Sequence, residues 1–220
     1  MKKIRVLLAE DHTIVRKGIR SLLEQDFNIV VAGEAGDGHE ALEKAKKLHP
    51  DIILLDISMP LLNGLEVAKQ LSQILPDIKI LILSMHDSEE MILESLEAGA
   101  KGYILKKAVP DELITAINMV FYGKTYFSPS IEEMIRERTA EQGKPKEELI
   151  QQPVLTRRQR EIIQLVAEGY SSREIAKILK LSIKTVENHR ANIMNKLKLD
   201  NVTDIVKYAI SKGIIHLDSK

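Results

Sequence analysis

Five residues spread over the first half of the chain, Glu10, Asp11, Asp56, Ser84 and Lys106, have the types needed to take up a phosphoryl group. Asp56 closes the apolar run Asp51-Ile-Ile-Leu-Leu-Asp56; Ile57-Ser-Met-Pro60 follows, with Gly64 four residues past the proline. Glu10-Asp11 directly follows another apolar run, residues 6–9. Carboxylates that end buried parallel strands collect at the mouth of an open α/β sheet, where ligands bind. Three of them at one edge repel unless a cation joins them, and hard oxygen donors with room for waters suit Mg²⁺. Asp56 could then act as a nucleophile and become an acyl phosphate. Ser84, ending a fourth strand, would donate a hydrogen bond to one phosphoryl oxygen, and Lys106, following a fifth, would contact another. Positioning and charge stabilisation are nearly all that phosphoryl transfer requires of a protein. Each residue also has an ordinary reading. An acidic pair after a strand can cap the next helix and complement its dipole, a serine can do the same, and a lysine usually points into solvent.

These residues can meet only if the elements around them form one sheet. Nearly continuous Ile/Val/Leu runs at residues 4–9, 29–34, 52–56, 78–84 and 102–105 read as strands covered on both faces. Amphipathic helical patterns lie between them at 14–25, 38–48, 64–75, 88–98 and 111–122. Pro50, Pro60, Pro76 and Pro110 punctuate the joints, each disfavouring helix in the residue before it. Five βα units of this length predict a doubly wound parallel sheet with right-handed crossovers; the flavodoxin-like form of such a sheet has the order 2-1-3-4-5. In that order the first and third strands are neighbours, which brings Glu10, Asp11 and Asp56 to one edge.

The rest of the chain changes character. The spacing predicts a first domain over 1–127, a partly helical linker over 128–153, and an all-α four-helix domain over 154–220. The linker opens on Ser-Pro-Ser, continues as a polar helical stretch over 131–142, and ends in Gly-Lys-Pro-Lys-Glu-Glu. Helical segments follow at 157–168, 172–180, 183–197 and 203–211. The zero net charge of these 220 residues conceals a division: 15 basic against 19 acidic side chains in 1–127, but 13 against 7 in 154–220. An acidic front and a basic back point to a polyanionic partner for the C-terminal part alone. Cysteine is absent, so thiol chemistry and disulfides are excluded. No apolar run approaches the roughly 18 residues that would span a bilayer. The N-terminus turns acidic too soon for a signal peptide, and a cytoplasmic protein is expected.

Residues 172–180 and 183–197 have the spacing of a helix-turn-helix. Ile175, Ala176, Ile178 and Leu179 of the first, and Ile183, Val186, Ile193, Met194 and Leu197 of the second, are expected to face inward. That leaves Lys184, Thr185, Glu187, Asn188, Ala191, Asn192 and Asn195 for solvent or a ligand. Amides and Glu can read base edges, while Lys184, Arg190, Lys196 and Lys198 suit phosphates. An ordinary helical hairpin would carry the same pattern.

Two resemblances sharpen these readings. Glu10-Asp11-His12, Asp56-Ile-Ser-Met-Pro60 with Gly64, Leu83-Ser-Met-His-Asp87 and Gly99-Ala-Lys-Gly-Tyr-Ile-Leu-Lys106 resemble the receiver domain of bacterial two-component response regulators over residues 3–122. The resemblance implies that Asp56 accepts phosphate from a sensor histidine kinase, and that Glu10, Asp11, Asp56 and the Ser58 backbone carbonyl bind Mg²⁺. It also implies that Ser84 and Tyr103 form a switch pair. Leu155-Thr-Arg-Arg-Gln-Arg-Glu-Ile162, Glu174-Ile-Ala-Lys-Ile-Leu and Ser182-Ile-Lys-Thr-Val-Glu-Asn-His-Arg-Ala-Asn-Ile193 resemble the LuxR-type DNA-binding domain over 154–215. This implies base contacts on double-stranded DNA from Glu187, Asn188 and Ala191, and backbone contacts from Lys184, Thr185, Arg190 and Lys196. It further implies a homodimer, with Val206, Tyr208, Ala209 and Ile210 as dimer contacts. The combined architecture is similar to NarL/FixJ-type response regulators, whose function is transcription control and not catalysis. An aspartate-nucleophile phosphatase fits less well, because Asp56-Ile-Ser lacks the second Asp such enzymes use two residues on. A receiver that signals without phosphate would be expected to lack one of the five site residues.

Overall fold

Runs rich in Ile, Val and Leu form five parallel strands, β1 (Ile4–Ala9), β2 (Ile29–Ala35), β3 (Ile52–Asp56), β4 (Lys79–Ser84) and β5 (Gly102–Leu105), and the aromatic pair Tyr126–Phe127 forms a sixth, β6. The computed structural model describes residues 3–134 and 155–215. The chain divides into two units, one within 1–144 and the other within 145–220.

The strand order is β2-β1-β3-β4-β5-β6, and every pairing is parallel. Period-two alternation along the strands divides their side chains between two layers. Val6, Leu8, Ile52, Leu54, Leu81, Leu83 and Ile104 face one layer. There they meet α1 (Thr13–Leu23) and α5 (Val109–Phe121) through Ile19, Leu23, Leu113 and Ile117. Leu7, Ala9, Ile53, Leu55, Ile80, Ile82 and Leu105 face the other, against α2 (Gly38–Leu48), α3 (Gly64–Ile74) and α4 (Glu89–Glu97). Both faces are covered, which is why the strands read as continuous apolar runs instead of alternating ones. The helix starts are set locally: Asp37 accepts from Glu40 N and Asn63 from Glu66 N, each satisfying a donor that the first turn leaves over.

The expected five-stranded sheet needs one correction. Tyr126 and Phe127 add a sixth strand, pairing with Gly102 and Tyr103. A two-residue strand carries too little pattern to be read from a sequence, and only its neighbour reveals it. The expected start of the linker at residue 128 moves as well. Residues 129–134 are helical, Ile131 is fully buried and Ser128 nearly so, and Phe127 and Met134 pack on the same core. Ile131, on a polar-looking stretch, has an apolar surface to cover, so the first unit extends past 127. The remainder of the expected linker and of its helix, residues 135–153, lies outside the described residues.

The second unit holds α6 (Arg157–Ala167), α7 (Ser172–Leu179), α8 (Ile183–Leu197) and α9 (Val202–Ser211), with no strand among its described residues. Capping boxes begin α6 (Thr156 with Gln159) and α7 (Ser171 with Glu174). Lys180 and Lys198 end α7 and α8 in the left-handed region, at φ 54° and 53°. Val186 and Ile193 of α8, with Ile205 and Ala209 of α9, join Ile162 and Ile163 of α6 among its fully buried side chains.

Candidate phosphoacceptor site and nucleic-acid interface

The β1–β3 register pairs Ala9 with Leu55, so the residues that follow β1 lie beside the end of β3. Glu10, Asp11 and Asp56 therefore converge as expected, and one ligand atom from each, together with one from His12, lies within 4.8 Å of the others. Asp56 is 1% exposed and Glu10 0%. Lys106 stands just past β5 and reaches both, with Nζ 2.8 Å from Asp56 Oδ2 and 2.8 Å from Glu10 Oε2. Ser58 N donates to Asp56 Oδ1 at 3.2 Å. His12 N donates to Glu10 Oε1 at 3.2 Å, and its Nδ1 lies 2.8 Å from Asp11 Oδ1.

Burial dominates the electrostatics. It pushes the Asp56 carboxyl above its usual value against the pull of Lys106, and does the same to Glu10, with the Asp56 charge adding to it. For Lys106 burial works the other way but is outweighed by Asp56 and Glu10, so its pKa is raised. Three carboxylates face one ammonium, and the excess negative charge in a dry site is what a divalent cation relieves. The donors are hard oxygens, and the cluster fits an ion of that kind.

Backbone geometry permits this approach at one place above all. A Cβ on Gly64 would lie 2.1 Å from Asp56 O, so only glycine lets α3 begin directly over the end of β3. Ser84 ends β4, one position beyond the residue that pairs with Asp56. It is buried, and its Oγ accepts from His86 N at 3.0 Å. Tyr103, on β5, is turned inward at 1% exposure and donates to His86 O at 2.7 Å. The two expected switch residues thus meet at the backbone of His86, inside the Leu83–Asp87 motif but with no role foreseen for it. Arg16 was missed as well: its guanidinium donates to the carbonyl oxygens of Glu10 and Asp11. A helical arginine carries no sequence signal for such a contact.

In the second unit, α7, the turn at 180–182 and α8 form the expected helix-turn-helix. Lys184, Glu187, Asn188, Ala191 and Lys196 are exposed along α8. Thr185 and Arg190 are half-buried: Thr185 Oγ1 lies 2.7 Å from Ser182 Oγ, and Arg190 donates to Ser172 Oγ at 2.8 Å. Two expectations are corrected. Ile183, expected inward, is 42% exposed; at about 100° per residue it lies roughly 60° from Val186 around the helix, off the inward stripe. Ala209, expected at a dimer contact, is 0% exposed. It lies four residues from the buried Ile205, so both face the unit's own core. Val206 and Tyr208 are half-buried, and Ile210 and Val202 are 36% and 46% exposed.

A family model described as the response regulator receiver domain matches residues 6–118. A second, described as bacterial regulatory proteins of the luxR family, matches 153–209. The transcriptional regulatory protein DegU of Brevibacillus brevis is 38% identical over 225 residues, covering 96% of this chain and 94% of that protein. The oxygen regulatory protein NreC of Staphylococcus epidermidis is 37% identical over 216 residues, covering 96% and 99%. Among solved structures, the RcsB response regulator of Salmonella typhimurium, described for conformational dynamism in DNA interaction, matches with a TM-score of 0.62. Its identity is 28% and the coverage 96% and 99%. A structure of two RcsB dimers bound to two parallel DNAs matches with a TM-score of 0.59 at 28% identity, again covering 96% and 99%.

Proposed function

The chain belongs to the two-component response regulators, joining a receiver domain to a LuxR-type DNA-binding domain, and from that premise we propose which residues carry input and output. Its relatives are transcriptional regulators, and it is not a member of an enzyme family. The observation that carries the reading is Asp56: a nearly fully buried carboxylate at the end of a central strand, 2.8 Å from Lys106, with Glu10 and Asp11 beside it.

In this reading Asp56 accepts the phosphoryl group from the phosphohistidine of a sensor kinase. A carboxylate oxygen attacks phosphorus, the P–N bond breaks, and its electron pair returns to the imidazole, which takes a proton. Lys106 opposes the rise that burial imposes on the Asp56 carboxyl and meets a phosphoryl oxygen as charge moves onto Asp56. Ser84 donates to another, and Tyr103 is the second member of the switch pair. When bound by Glu10, Asp11, Asp56 and the Ser58 carbonyl, Mg²⁺ neutralises charge on the transferring group. The acidic cluster supports this assignment through its hard oxygen donors and its excess of negative charge.

The output is α8 in the major groove of double-stranded DNA. Glu187, Asn188 and Ala191 face base edges, and Lys184, Thr185, Arg190 and Lys196 face the backbone. A homodimer reading a two-fold site fits two such helices about one DNA turn apart, and the RcsB dimers on DNA support it. Val206, Tyr208 and Ile210 remain the dimer candidates on α9, without Ala209. We assign 1–127 and its extension to the receiver, 154–220 to DNA binding, and the segment between them to the linker. No helix among the described residues is long and apolar enough to cross a membrane, and a cytoplasmic location follows from a kinase as source and DNA as target. The direct test is labelling by acetyl phosphate with Mg²⁺: wild type should be labelled and Asp56→Asn should not. Undiminished labelling of the variant would reject Asp56 as acceptor.

A further inference from the structure

Arg16 belongs to neither the acidic cluster nor the switch pair, yet it grips the backbone of the cluster at two points. From early in α1 its Nη1 donates to the carbonyl oxygens of Glu10 and of Asp11, the latter at 3.2 Å. Its Nε lies 3.3 Å from Glu34 Oε2 on β2, and the side chain is 18% exposed. Glu34 is itself fixed, pairing with Arg20 and accepting from Lys44 at its carbonyl. The guanidinium therefore bridges a strand on one side and, on the other, the two residues whose carboxylates face Asp56.

The side chains of Glu10 and Asp11 are held by Lys106 and by His12, whereas Arg16 acts on the backbone that carries them. β1 ends at Ala9, and α1 starts without a side-chain cap, since His12 makes no capping hydrogen bond. Between them Glu10 N is held by Ala35 O at 3.0 Å, but the carbonyls of Glu10 and Asp11 are turned toward Arg16. Fixing those carbonyls orients the backbone from which the Glu10 and Asp11 carboxylates project. A planar guanidinium presents its donors in a fixed fork, which a lysine ammonium cannot reproduce.

We propose that Arg16 is a positioning residue that locks the Glu10–Asp11 segment in the geometry that binds a divalent cation, and so sets the cation affinity of the phosphoacceptor site. This rests on reading that site as a Mg²⁺-dependent phosphoacceptor. The sign of the effect is diagnostic. A guanidinium near a cation site repels the cation, so removing its charge alone would tighten binding; losing the lock weakens it.

The test uses the full-length protein stripped of metal. Wild type, Arg16→Gln, Arg16→Lys and Arg20→Gln are titrated with Mg²⁺ by calorimetry, and their thermal unfolding is followed in chelator. Arg20 shares Glu34 with Arg16 while its guanidinium bonds Glu24 and Glu34 and not the two carbonyls, so it controls for loss of the Glu34 pair. Arg16→Gln should weaken Mg²⁺ binding on the order of 10–100-fold, as loss of an outer partner of a metal ligand does. Arg16→Lys should fall between, and Arg20→Gln should match wild type. In labelling by acetyl phosphate, Arg16→Gln should need more Mg²⁺ for half-maximal rate yet reach the wild-type rate at saturation, which a merely destabilised protein would not do. Affinity in Arg16→Gln equal to or tighter than wild type, or a loss shared equally by Arg20→Gln, overturns the proposal alone. Failure of the wild type to bind Mg²⁺ overturns the reading of the acidic site, and the proposal with it.

Discussion

Tyr103 shows what a single buried side chain contributes here. Burial pushes its phenol up to about 12 from 10.0, offset only in part by its Ser84 neighbour. The folded state therefore favours the neutral phenol. That contribution is fully present below about pH 10 and is lost as pH rises through the folded value. A rise of that size sets a ceiling of about 2.7 kcal/mol. Tyr103→Phe cannot ionise, so its unfolding free energy in urea should fall less than that of wild type between pH 9 and 12. Equal slopes would mean that the phenol is not the titrating group. Tyr126, also raised to about 12 by burial and then by Glu112, remains in both proteins and is common to the comparison. The same burial explains why the acidic residues were legible individually but their contacts were not. Glu10 and Asp56 stand at strand ends in the sequence, whereas Lys106 reaching both at 2.8 Å is a consequence of β1, β3 and β5 sharing one sheet, with β4 between the last two.

At the scale of elements, the helices and strands long enough to bury a face were readable, and their ends were not always. α2 and α8 begin and end where the pattern places them, because Asp37 and Ser182 cap their starts. β6 was invisible because two residues cannot display a period, and its existence depends on the open edge of β5. Ile183 was misjudged because an apolar residue in the first turn need not lie on the helix's inward stripe. Helix ends also store strain that can be measured. Lys180 holds φ 54° at the end of α7, where a side chain costs roughly 1 kcal/mol relative to glycine. Lys180→Gly should raise the unfolding free energy of the C-terminal unit by up to about 0.5 kcal/mol, after the greater entropy of glycine in the unfolded chain is counted. Denaturant titration with far-UV detection checks this; a loss of stability would show that the lysine makes a compensating contact.

For the molecule as a whole, input and output stand on separate units, and what must be tested is their coupling. Phosphorylation is expected to shift a pre-existing equilibrium and not to create a new state. A coupling of ordinary size would change DNA affinity on the order of 5–150-fold. Lys106 is the residue whose loss should separate labelling from response: it contacts the acceptor but is not itself modified. Lys106→Ala should still be labelled at Asp56 while its affinity for a specific DNA site, measured at fixed salt because phosphate contacts are screened, no longer responds to the phosphodonor. A full response in that variant would remove Lys106 from the signalling path.

The sequence by itself determined a front of βα units and a helical back, the first five strands and their parallel pairing, the polar residues that end those strands and the helix-turn-helix spacing. These follow from hydrophobic period, strand-end polarity and turn residues, which are local properties that each stretch carries with it. Only the tertiary structure decided that Lys106 bridges Glu10 and Asp56, that Arg16 holds the carbonyls beside them, that Ala209 is spent inside its own unit, and that residues 126–134 belong to the receiver's sheet and core. Each of those depends on which distant surfaces remain uncovered once the elements have packed, and burial of that kind belongs to the assembled fold and to no single stretch of chain.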